Sequence, residues 1–158
     1  MSDGRRRGSR HPDALLLAAR DLEVEGGHRY RGRVAAITVL LADDDDRFRG
    51  LVRSMLVDDG YDVVAEAADA DAAIAAAAAH DPDIVVVDLV LPGAHGLSAV
   101  RSLRAARPGR PVLVLSSLFD PTVEHDAVEL GATYLDKTEG VDALEAAIDA
   151  AVAAAGTA

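Results

Sequence analysis

Ile84-Val85-Val86-Val87-Asp88-Leu89-Val90-Leu91-Pro92-Gly93 decides how this chain is read. Four consecutive β-branched residues leave no polar face. The run therefore reads as a strand buried on both sides, the pattern of a parallel sheet covered by helices. Asp88 follows directly, held at the mouth of a short turn and exposed at the sheet edge. A carboxylate there can attack phosphorus and form an acyl phosphate; the alternative is an ordinary loop aspartate.

Outward from this strand, the pattern alternates. Upstream, Ile37 to Ala42 is a second continuous apolar strand. Phe48, Leu51, Val52, Met55 and Leu56 then mark one face of a helix that Gly60 stops. Tyr61 to Glu66 reads as a strand and Asp69 to His80 as an alanine-rich helix broken by Asp81-Pro82. Downstream, helices are expected over Gly96 to Ala106, Thr122 to Leu130 and Val141 to about Ala154, with strands at Val112 to Leu115 and Thr133 to Leu135. Five strands alternating with five helices make an α/β fold, because consecutive parallel strands need right-handed helical crossovers. Such sheets carry their sites at the carboxyl ends of the strands.

Those ends carry the chemistry. The first strand runs into Asp43-Asp44, the third into Asp88, the fourth into Ser116-Ser117 and the fifth into Lys137. Adjacent carboxylates repel unless a cation sits between them, and hard oxygen ligands favour Mg²⁺ or Ca²⁺. The run Asp43 to Asp46 reads equally as an acidic stretch capping the next helix, with Asp45 or Asp46 as the cap. A serine hydroxyl at a strand end can donate to a phosphoryl oxygen, although serine is also common in turns. Lys137 is the only lysine, against fifteen arginines. Its compact, flexible charge suits a phosphoryl group where a planar guanidinium does not; its plain reading is a surface lysine.

Composition narrows the class. The 158 residues are half apolar but only 3% aromatic, so the core is built from Ala, Val, Leu and Ile. There is no cysteine, which removes disulfides and thiolate metal sites and suits a cytoplasmic protein. No apolar run approaches the roughly 20 residues of a membrane span. Residues 1–33 hold eight arginines against five acids, whereas 34–158 hold eight cations against twenty-two acids. The body therefore repels nucleic acid. The glycine- and arginine-rich segment 1–33 reads as a disordered leader or as upstream sequence from a misplaced start, and the compact domain as 34–158.

Residues from about 36 to 154 resemble the receiver domain of bacterial two-component response regulators. The likeness rests on Val39-Leu40-Leu41-Ala42-Asp43-Asp44, on Pro82 through Gly96, on Pro111-Val112-Leu113-Val114-Leu115-Ser116 and on Gly131-Ala132-Thr133-Tyr134-Leu135-Asp136-Lys137. It implies a doubly wound, flavodoxin-like (βα)5 sheet in the order 2-1-3-4-5. It implies Asp88 as phosphoacceptor and Mg²⁺ held by Asp44, by Asp43 directly or through water, by Asp88 and by the carbonyl of Val90. Ser116 would be the switch hydroxyl, Tyr134 the aromatic that moves with it, and Lys137 the partner of the acyl phosphate. A histidine kinase or phosphotransfer protein would supply the phosphoryl group. An output protein would dock on the surface of the fourth helix, fifth strand and fifth helix, and a phosphorylation-dependent dimer is a further expectation. Val90 and Leu118 flank the approach of a hydrolytic water, and both are apolar.

The chain departs from the common pattern in three ways. Thr138 stands where proline often follows the lysine, as in the subgroup joined to helix-turn-helix outputs, so no cis bond is required there. The acidic run is longer than usual; the strand register selects Asp43 and Asp44. Nothing follows the last helix, which suggests a stand-alone receiver, a switch and not a turnover enzyme. Three rivals are a receiver half cut from a DNA-binding regulator, a degenerate interaction module, and an aspartate-nucleophile phosphatase. The last needs a general acid at Val90, and the second is disfavoured by the intact acids and lysine.

Overall fold

The computed structural model describes residues 35–93, 96–117 and 120–157. The leader read at 1–33 and the apolar Leu118 lie outside them. The elements run β1 (Thr38–Ala42), α1 (Asp46–Asp58), β2 (Asp62–Ala67), α2 (Ala70–His80), β3 (Ile84–Val87), α3 (Gly96–Ala106), β4 (Val112–Ser116), α4 (Pro121–Glu129), β5 (Thr133–Asp136), a 3-10 turn (Lys137–Glu139) and α5 (Val141–Ala155). The sheet is parallel throughout, in the order β2-β1-β3-β4-β5, as expected.

Strand alternation builds two core layers. Leu40, Val85, Val87, Val112 and Val114 face α2, α3 and α4, where Ala73, Ala77, Val100, Leu103 and Ala127 cover them. Val39, Leu41, Ile84, Val86, Leu113 and Leu115 face α1 and α5, where Val52, Leu56, Leu144 and Ile148 close the layer. The alanines of α2 let that helix lie close to the sheet; the branched side chains of α1 and α5 supply the bulk on the other side. β3 and β4 are buried along their whole length, and each fully buried Val, Leu or Ile contributes about 1.5–3 kcal/mol.

Several boundaries move by a residue from expectation, and side-chain caps set the starts of α1, α2 and α4. Asp45 caps α1 by accepting from the Arg47 and Phe48 amides. Asp69 caps α2 through the Ala72 amide, and Asp120 caps α4 through those of Thr122 and Val123. β2 starts at Asp62, not Tyr61: the tyrosine turns into the core and its hydroxyl donates to Asp149 Oδ1 of α5 at 2.8 Å. The apolar pattern gives no sign of the 3-10 turn after β5. Asp136 accepts from the Thr138 amide while Glu139 accepts from the Asp136 amide, so the amino end of the turn that begins at Lys137 is closed by a reciprocal pair.

Candidate functional site

Parity along the strands sorts the polar residues at the carboxyl edge. Asp43 continues the alternation of Leu41, Asp88 that of Val86, and Lys137 that of Leu135. All three therefore lean to the α1 side of the sheet. There Lys137 Nζ donates to Asp43 Oδ2 at 2.5 Å and to Asp88 Oδ2 at 2.8 Å. Oxygens of Asp43, Asp44 and Asp88 lie within 4.8 Å of one another. Lys137, Asp43 and Asp88 thus meet from three different strand ends.

One expectation needs correcting. Asp88 is not exposed at the edge: it is only 7% accessible, and Asp43 is 5%. The Lys137 side chain lies over both and is itself 14% exposed, so the plain reading of a surface lysine fails. Burial works against charge on Lys137. The hydrogen bonds to Asp43 and Asp88 outweigh it, and its pKa lies above the ordinary lysine value.

Backbone contacts lock the two buried acids. Asp43 donates its amide to Ala67 O, and its Oδ1 accepts from the Asp45 amide at 2.9 Å. Asp88 donates its amide to Ala42 O, and its Oδ1 accepts from the Val90 amide at 3.0 Å. Each carboxylate thus presents one oxygen to the backbone and the other to Lys137. The turn after Asp88 is packed tightly against α3: a β-carbon at Gly96 would collide with the Leu89 carbonyl oxygen.

The four-acid run divides cleanly. Asp45 is the cap, and the Phe48 amide bond helps hold its carboxyl below the usual range. Asp46 pairs with Arg49 Nη2 at 2.7 Å. Asp44 remains exposed beside the buried pair. Asp43, Asp44 and Asp88 therefore give three hard donors with a single ammonium among them. That surplus of negative charge fits a divalent cation of the Mg²⁺ or Ca²⁺ kind. Val90, whose side chain is exposed, stands at the rim with its amide already bonded to Asp88.

Ser116 and Tyr134 sit on the other parity. Ser116 ends β4 fully buried, in register with Asp136, and Tyr134 is half-buried against the α4-side core layer.

Two residues escaped the sequence reading. The Phe48 ring lies beneath Lys137 Nζ, 4.3 Å from its centroid. Arg49 Nη1 donates to the Asp43 carbonyl at 2.6 Å while its Nε reaches Glu66 at 3.1 Å. By sequence Phe48 is one more apolar position of α1. Its proximity to Asp45 in a chain with two phenylalanines was the available hint.

Comparison with known proteins agrees with this geometry. The model of the response regulator receiver domain matches residues 39–149. The chain is 42% identical over 97 residues to protein-glutamate methylesterase/protein-glutamine glutaminase 2 of Anaeromyxobacter dehalogenans, covering 61% of this chain and 28% of that protein. It is 33% identical over 115 residues to transcriptional regulatory protein PdtaR of Mycobacterium tuberculosis, covering 72% and 56%. Among solved structures, a LuxR-family two-component response regulator from an Aurantimonas species matches with 35% identity and a TM-score of 0.70, over 76% of this chain and 87% of that one. The receiver domain of a diguanylate cyclase from Desulfovibrio desulfuricans matches with 27% identity and a TM-score of 0.70, over 77% and 98%. The chain spans between 28% and 56% of the lengths of the first curated relatives it matches. No helix of the described residues is long and apolar enough to cross a membrane. Sheet order, the strand-end acids and the family match converge: the chain belongs to the response regulator receiver domain family.

Proposed function

We propose that Asp88 accepts a phosphoryl group from the phosphohistidine of a histidine kinase or phosphotransfer protein. The observation that carries this reading is the setting of its carboxylate: Oδ1 is fixed by the Val90 amide and Oδ2 lies 2.8 Å from Lys137 Nζ. The P–N bond to the donor imidazole breaks as a P–O bond to Asp88 forms. The electron pair of the broken bond stays on the imidazole nitrogen. Asp43, Asp44, Asp88 and the Val90 carbonyl would hold Mg²⁺, which when bound neutralises charge on the transferred group. Lys137 supplies a further positive charge, and the backbone contacts of Asp88 orient the attacking oxygen.

The domain is a switch with self-phosphorylation and self-hydrolysis, and not a turnover enzyme. Ser116 would close on the phosphoryl group and Tyr134 would follow, since both lie on the α4 side. That movement would be read by a partner on the α4-β5-α5 surface. A second reading, the receiver half of a longer transcriptional regulator, takes its support from transcriptional regulatory protein PdtaR, of which the chain spans 56%.

Incubation with acetyl phosphate and Mg²⁺ tests the reading. One phosphoryl group should be incorporated, labile to base and hydroxylamine, and Asp88→Asn should abolish it. Persistent labelling in that variant would place the nucleophile elsewhere.

A further inference from the structure

We propose that Phe48 is a positioning residue for Lys137, its ring forming a seat that keeps the ammonium over Asp88 whether or not the surrounding carboxylates are engaged elsewhere. This rests on the phosphoacceptor reading of Asp88. Lysine reaches its target through four flexible methylenes, so something must define where the ammonium rests. Two of its partners, Asp43 and Asp88, are carboxylates of the group suited to a divalent cation. Their hold on Lys137 weakens when a cation or a phosphoryl group engages them. The Phe48 ring, 4.3 Å from Nζ at its centroid, competes for neither. Its attraction comes from the negative face of the π-system, which persists when the carboxylates are occupied.

The first turn of α1 places the ring accurately. The Phe48 amide donates to the Asp45 cap, and Asp45 donates its own amide to Asp43. The next residue, Arg49, ties the Asp43 carbonyl to the same turn. Helix start, cap and buried acid thus form one connected unit, so the backbone from which the ring projects is fixed relative to Asp43. Lys137, carried on a 3-10 turn with its own capping box, brings its ammonium over the ring.

The single lysine makes the test direct. With lysine-selective labelling, the side chain of Lys137 gives one ε-methylene signal. Stacking over the ring should shift its protons upfield of ordinary lysine values. In wild type that shift should persist when Mg²⁺ is added. In Phe48→Leu, which keeps an apolar side chain but removes the ring, the signal should return toward ordinary values. Asp88 labelling by acetyl phosphate with Mg²⁺ should slow roughly 3- to 10-fold. Phe48→Trp should restore both the upfield shift and most of the rate, which a merely space-filling role would not do. An unshifted Lys137 signal in wild type, or a Phe48→Leu protein labelled at the wild-type rate, overturns the inference. Absence of labelling in wild type overturns the phosphoacceptor reading instead, and the resonance then decides the role of the ring by itself.

Discussion

The two ends of the sheet handle charge in opposite ways. At the amino end, Asp83 and Asp81 are matched by donors. Asp83 Oδ2 accepts from the Thr38 amide and hydroxyl at 2.9 and 3.0 Å, and the Thr38 hydroxyl accepts from the Asp83 amide at 2.9 Å. Asp81, at the left-handed end of α2, pairs with Arg107 and Arg110. At the carboxyl end three carboxylates gather, two of them buried and paired with one ammonium. The Asp83–Thr38 junction is a finished set of bonds, and the carboxyl end is short of positive charge. The contrast shows where local stability is given up: an under-neutralised edge is costly at rest, and on the proposed function it is this edge that takes a cation and a phosphoryl group.

Removing the ammonium should exaggerate this difference most. Lys137→Met keeps most of the length of the side chain but leaves Asp43 and Asp88 buried without their cation. Urea unfolding without Mg²⁺ should show a loss of about 3 kcal/mol. The pH dependence carries a signature of its own. The folded pKa of Lys137 lies above the ordinary value of 10.5, so its contribution is complete below that pH and is lost as the pH rises through the raised value. The stability gap between wild type and Lys137→Met should therefore narrow only in strong alkali. An unchanged gap there would detach the stabilisation from the ammonium.

Breaking the amino end should cost less and leave the chemistry alone. Asp83→Ala strips two hydrogen bonds from Thr38. It should lower unfolding free energy by about 2 kcal/mol, with the rate of labelling by acetyl phosphate unchanged. A large loss of labelling would mean that the two ends are coupled.

The smallest effect concerns the exposed member of the acidic group. Mg²⁺ at ten times its Kd should stabilise wild type by about 1.4 kcal/mol. Asp44→Ala should melt slightly higher than wild type without Mg²⁺, because a repelling charge is gone, and should lose most of the Mg²⁺ response. If the two proteins melt alike with and without Mg²⁺, Asp44 is no part of a metal site.

Much of this was legible in the chain because parallel sheets write themselves as unbroken apolar runs. Ile84 to Val87 announces a central strand, and the residue after each strand is committed to the edge by geometry. Sheet order came from the family likeness, since periodicity does not say which strands are neighbours. The burial of Asp88 is invisible in the sequence because the cover comes from Lys137, 49 residues away. The roles of Phe48 and Arg49 were hidden for a similar reason. The rotation of α1 decides that this ring faces Lys137 and this guanidinium faces the Asp43 carbonyl, and an apolar stripe fixes a helix face without fixing its contacts. Which of the four acids capped the helix was open in the sequence, because Asp45 and Asp46 are chemically alike. The backbone exit from β1 decides for Asp45.

On the proposed function Asp88, and not its neighbours in the acidic group, becomes the acyl phosphate. Borohydride reduces an aspartyl phosphate to homoserine, and peptide mass spectrometry of wild-type protein treated with acetyl phosphate and Mg²⁺ locates the converted position. A phosphoacceptor at Asp88 predicts homoserine at position 88 alone. Conversion at Asp43 or Asp44, or no conversion in protein that carries base-labile phosphoryl, would contradict it.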